Sequence, residues 1–136
     1  MVCLYCATEL TVSNSRPQKS RNQTWRRRRC SGCGALFTSI EAIDLSQALS
    51  VARGAQLQPF DRDRLFISIY ESLRHRPTAA SDARGLADTV TAHIISRADS
   101  GCVPVRSIVK AVMNTLGRFD QAAATHYTAF HPLSAR

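Results

Sequence analysis

The apolar positions of the chain change rhythm near residue 60. Leu65, Ile69 and Leu73 form one stripe at helical spacing, and Leu86, Val90 and Ile94 form a second. Val105, Ile108, Val109, Val112 and Leu116 make a third, while Ala123, Tyr127 and Phe130 mark a fourth. Residues so spaced share one face of a helix, so four helices are predicted. The punctuation fits. Asp61 is placed to cap the first helix and Pro77 to end it, and Ser81 or Asp82 caps a second that runs toward Asp99-Ser100-Gly101. Pro104 opens the third helix and Asp120 caps the fourth.

Before residue 60 there is no such stripe. Leu10-Thr11-Val12 and Leu36-Phe37-Thr38 are short β-compatible runs, expected to pair with each other. From Glu41 to about Ala52 the sequence predicts a connector that runs into a strand, and Gly54 and Pro59-Phe60 then punctuate the chain. The expected fold class is α+β, a small N-terminal module followed by a mostly helical domain. The expected boundaries are 1–41, a connector at 42–50, and 51–136.

Composition changes this picture only in its first third. A chain of 136 residues makes one ordinary domain or two small ones, so the first segment is short of core. With 44% hydrophobic and 21% charged residues, the chain is neither disordered nor built for a membrane. It has no apolar run of about 18 residues, and its first residues lack the regions of a secretory signal. The cytoplasm is the expected compartment. The formal charge is +8, and residues 1–40 carry +6 of it, with seven Lys or Arg against Glu9. A field so concentrated suggests a polyanionic partner for that third.

The missing core has a substitute. Cys3 and Cys6 form C-x2-C, twenty-three residues follow, and Cys30 and Cys33 form a second C-x2-C with Gly32 and Gly34 beside it. Two such turns bring four thiolates together tetrahedrally, which points to zinc. Structural zinc contributes on the order of 10 kcal/mol to the folding of small modules. A redox dithiol and a rubredoxin-like iron site are the alternatives. Cys102 stands apart from the four and fits a small apolar position.

Between the cysteine pairs the sequence Trp25-Arg26-Arg27-Arg28-Arg29 abuts Cys30, with Arg16, Lys19 and Arg21 earlier in the same loop. Guanidinium groups bind phosphates and guanine edges in bidentate fashion, and Trp25 can stack on a base or pack against sugar. Trp25 has an equal claim to be the hydrophobic anchor of the module. In a strand, the four arginines would alternate, two to each face. Arg16, Trp25, Arg26, Arg27, Arg28 and Arg29 are therefore the candidate DNA-contacting residues.

These features resemble a known family. Asn14-Ser15-Arg16-Pro17, Arg26 to Arg29, Cys30-Ser31-Gly32-Cys33-Gly34 and Phe37-Thr38-Ser39-Ile40-Glu41 are similar to the zinc ribbon of the bacterial NrdR repressors. Gln58-Pro59-Phe60-Asp61-Arg62-Asp63-Arg64-Leu65 resembles the start of the ATP-cone that follows the ribbon in that family, and Phe119-Asp120 to Phe130 its final helix. The resemblance implies a repressor of ribonucleotide reductase genes. In that family the ribbon binds double-stranded operator DNA, and the ATP-cone senses ATP and dATP by changing the homo-oligomeric state. Of the family motif Val-x-Lys-Arg-Asp-Gly, the Lys-Arg-Asp-Gly part falls on Ala52, Arg53, Gly54 and Ala55, next to Val51, so one lysine is lost at Ala52. Gln58 stands for a usual glutamate, and Arg64 keeps the charge of a second phosphate-facing lysine. Val51, Arg53 and Arg64 are the nucleotide-binding residues that the resemblance implies, with Ala124 and Thr125 as departures in the last helix.

No nucleophile paired with a base, Walker loop or carboxylate pair is recognisable, so an enzyme is not expected. His75, His93, His126 and His131 have no ligand spacing. The other function classes left open are a zinc ribbon that binds RNA or protein, and a nucleic-acid-binding protein whose helical domain no longer senses nucleotide.

Overall fold

In the computed structural model, which describes residues 1–133, the arginine run is the central strand of a sheet and not a loop. Strands β1 (Leu10–Gln18), β2 (Gln23–Cys30) and β3 (Leu36–Ala42) form an antiparallel sheet in the order β1-β2-β3. Pairing on both edges satisfies the N–H and C=O groups of β2, which outweighs the weak strand preference of its charged residues. The two β-compatible runs do not pair with each other as expected, because both lie against β2. A turn of 3-10 helix, Lys19–Arg21, joins β1 to β2, and β1 carries a bulge between Val12 and Asn14.

The interior of this unit, Met1–Asp44, is small. Cys3, Leu10 and Cys30 are buried in it, with Ala35 and Phe37 packed against them. Trp25 is half-buried and outside that cluster, so it is not the anchor of the module.

The second unit starts at Leu45. The stretch expected as a connector holds a short helix, α1 (Leu45–Ala48), before the strand β4 (Ser50–Arg53). Strand β4 pairs antiparallel with β5 (Gln56–Pro59) and parallel with β6 (Cys102–Pro104). Four helices follow the predicted stripes: α2 (Arg62–Leu73), α3 (Ala79–Ile95), α4 (Val105–Phe119) and α5 (Gln121–Phe130). Helix α2 packs against α3 and α5, and α4 packs against the same two. Ile69, Leu73, Val90, Ile94, Val112 and Leu116 are fully buried between them.

Four expectations about the helices are corrected. Helix α3 begins after Thr78 rather than at Ser81 or Asp82, because the Asp82 carboxylate accepts hydrogen bonds from Thr78 Oγ1 (2.6 Å) and Arg76 Nε (3.0 Å). It ends at Ile95, and the residues toward Gly101 lead into β6 instead. Its buried face is made of Ala79, Ala83 and Ala87 with Val90 and Ile94, while Leu86 is only half-buried. Phe130, assigned to the fourth stripe, is 70% exposed.

Candidate metal centre and nucleic-acid interface

The two C-x2-C turns are built alike. In each, the first cysteine accepts at its carbonyl from the residue four positions on, Ala7 N–H to Cys3 (3.0 Å) and Gly34 N–H to Cys30 (3.1 Å). Each first cysteine also donates its own N–H to the residue five on, Cys3 to the Thr8 carbonyl (2.8 Å) and Cys30 to the Ala35 carbonyl (2.9 Å). Backbone N–H groups face sulfur in both turns, Tyr5 to Cys3 Sγ and Cys33 to Cys30 Sγ, each at 3.4 Å. Gly32 lets the turns approach, since a Cβ there would lie 2.7 Å from Thr8 Oγ1.

This geometry brings all four predicted ligands together. Cys3 and Cys33 Sγ are 3.6 Å apart, Cys6 and Cys30 Sγ 3.4 Å, and all four sulfurs lie within 4.8 Å of one another. A tetrahedron with Zn–S bonds of about 2.3 Å needs S···S separations of roughly 3.8 Å. Cys3 and Cys30 are buried, and Cys6 and Cys33 are exposed. The electrostatics call for a cation. The Cys6 thiol is drawn down to about 6, chiefly by hydrogen bonding to Thr8. Cys33 is pushed up to about 12, because the Cys3, Cys30 and Cys6 sulfurs around it and its desolvation outweigh the hydrogen bond with Ala35. Four thiolates this close are stable together only around a metal ion. The residues fit zinc, which when bound supplies a crosslink between the N-terminus and the β2–β3 turn.

From Cys30 the strand β2 runs straight into the arginines. Arg28 and Arg26 share the face of Cys30, while Arg29, Arg27 and Trp25 occupy the opposite face. Arg26 donates to Glu41 Oε2 from Nε (3.0 Å) and Nη2 (2.8 Å), and Arg28 Nε donates to Ser39 Oγ (2.7 Å). Arg16 stands directly opposite Trp25 on β1. These partners were not legible in the sequence, although the strand alternation alone separates the two pairs.

Similarity to known proteins bears on what this arrangement serves. The family model described as "Transcriptional repressor NrdR-like, N-terminal domain" matches residues 1–41. The protein named Transcriptional repressor NrdR in Rhodospirillum centenum is 32% identical over 132 residues, covering 96% of this chain and 85% of that one. Its namesakes in Rhizorhabdus wittichii and Symbiobacterium thermophilum are 33% and 29% identical, again over 96% of this chain and 85% and 87% of theirs. The chain belongs to the NrdR family of transcriptional repressors.

In this NrdR-family chain the residues singled out beyond the ribbon fall on two elements. Val51 and Arg53 lie on β4, where Val51 is half-buried against the helical core and Arg53 is exposed at the strand end. Arg64 is exposed in the first turn of α2, its N–H donated to the capping Asp61 carboxylate (3.0 Å). Neither arginine side chain has an ion-pair partner among the described residues. Cys102 sits half-buried in β6 and is not one of the four clustered cysteines.

A polar network escaped the sequence. The Asp120 carboxylate caps α5 at the Ala123 N–H (3.0 Å) and also takes His75 Nε2 (3.0 Å) and Arg76 Nη1 (3.1 Å). Arg76 reaches Asp82 as well and lies over the Phe119 ring, 4.9 Å from its centroid. The Ala123 N–H, then His75 and Arg76, hold the Asp120 carboxyl down at about 2. Only the cap was predictable, since the other partners come from distant segments.

Proposed function

We propose that this protein is a transcriptional repressor of ribonucleotide reductase genes. It binds operator DNA through a zinc ribbon, and ATP and dATP regulate it through a C-terminal ATP-cone that controls its homo-oligomeric state. The observation that carries the proposal is the arginine-rich central strand, anchored at Cys30 to a four-cysteine cluster suited to zinc. The metal fixes one end of β2, so its cations meet a duplex already ordered. Arg16, Trp25 and Arg26 to Arg29 are the candidates from which its DNA contacts are drawn. Arg53 and Arg64, with Val51 on the same strand as Arg53, are its phosphate-facing set, Arg64 lying in the first turn of a helix whose N-terminus favours anions. The role requires no catalysis and places the protein in the cytoplasm. Among the described residues no helix is long and apolar enough to cross a membrane.

The test is binding to a duplex from upstream of a ribonucleotide reductase gene, against an unrelated duplex and an RNA, with no nucleotide, ATP, or ATP plus dATP. Particle size is measured in the same series. Preference for the upstream duplex, with nucleotide-dependent size and affinity, is expected. Equal binding to all three nucleic acids, unaffected by nucleotide, would overturn the proposal. A second function is favoured by Ala52, which leaves Arg53 as the only cation of β4. It is a zinc-ribbon nucleic-acid-binding protein with a non-sensing helical unit, identified by upstream-duplex binding that ignores nucleotide.

A further inference from the structure

The two faces of the ribbon sheet differ in what their arginines are free to do. On the cysteine side, Arg26 is committed to Glu41 through two hydrogen bonds and reaches Ser15 Oγ (3.3 Å), while Arg28 is committed to Ser39. Both tie the central strand to its neighbours. On the opposite side, the guanidinium groups of Arg16, Arg27 and Arg29 make no hydrogen bond or ion pair among the described residues; only the Arg29 and Arg27 carbonyls accept, from Thr11 and Ser13. The register places Trp25 between Arg16 and Ile40, Arg27 between Asn14 and Thr38, and Arg29 between Thr11 and Leu36. Ile40 and Leu36 are 53% and 54% exposed on that face.

We infer that the face bearing Arg16, Trp25, Arg27 and Arg29 is the one applied to duplex DNA, and that Arg26 and Arg28 are positioning residues that brace β2. The inference rests on the ribbon being the DNA-binding module. Arg27 and Arg29 stand two residues apart on a paired strand, a spacing of about 6.8 Å, with no carboxylate to neutralise them. Each is therefore available to replace a counterion at a phosphate. Arg26 already has its counter-charge in Glu41 and has little to release. The exposed apolar side chains of Leu36 and Ile40, on β3 beside Arg29 and Trp25, suit thymine methyl groups and sugar edges, and β-ribbons enter the major groove.

The test uses the full zinc-loaded chain and a fluorescein-labelled mixed-sequence duplex, whose binding is followed as salt is raised. R27Q and R29Q are each expected to lower the slope of log K against log salt by about 0.9, while R26Q and R28Q leave it unchanged. Zinc content, measured for every variant, reports an intact ribbon. The chain has a single tryptophan. Its emission is expected to become shielded from acrylamide when the duplex binds. A slope lowered by R26Q or R28Q as much as by R27Q, at full zinc content, would overturn the partition of faces, as would a Trp25 still open to quencher in the complex. Absence of salt-dependent duplex binding by the unaltered protein would instead remove the ribbon as a DNA-binding module, and the partition with it.

Discussion

Ala7 has φ 56° and Gly34 φ 75° at matching places of the two cysteine turns. A left-handed conformation costs an alanine about 1–2 kcal/mol, part of which glycine returns through its freer unfolded chain. Ala7→Gly is therefore expected to stabilise the zinc-bound ribbon by about 0.5–1 kcal/mol. Competition with a chromophoric chelator should read this as tighter zinc binding. Gly32→Ala should act the other way, because its Cβ meets Thr8, and Thr8→Ala in the same chain should restore part of the loss. Asp120 makes the helical unit sensitive to acid. Its folded value of about 2 lies below the unfolded one, so its contribution is complete above about pH 4 and disappears as pH falls through 2. Unfolding followed by circular dichroism between those limits should show a shallower acid decline for Asp120→Asn than for the unaltered chain.

Helix α2 was legible because large aliphatic residues recur at its buried positions, Leu65, Ile69 and Leu73. Helix α3 was less so, because its buried face is largely alanine, a residue equally at home on a helix surface. Those alanines set how closely the neighbouring helices approach. Ala83→Leu is expected to overpack the site and cost about 1–3 kcal/mol in denaturant unfolding. Strand β6 holds three residues beside β4, too few for any alternation to register. The arginine strand was obscured by its own charge, since four cations in a row resemble a solvated loop until β1 and β3 are seen to pair with it. The helix caps Asp61 and Asp120 were readable because capping depends on local sequence alone.

At the scale of the whole molecule, the two units depend on different sources of stability. The helical unit buries an extensive aliphatic core, whereas the ribbon buries Cys3, Leu10 and Cys30 and little else. That the four cysteines gather could be read from sequence because C-x2-C spacing is itself the chemistry. The division of labour among the arginines could not, since it depends on Ser15, Ser39 and Glu41 of neighbouring strands. Chelation, or Cys30→Ser, should unfold the ribbon and leave the helical dichroism largely intact. The most direct test of a ribbon that presents its central strand to DNA is fluorescence anisotropy of a labelled duplex from upstream of a ribonucleotide reductase gene. It would be titrated with zinc-loaded protein and with Cys30→Ser at equal concentration. Binding by the first and its loss in the second, with the helical unit still folded, is the predicted result, and undiminished binding by the zinc-free variant would contradict the account.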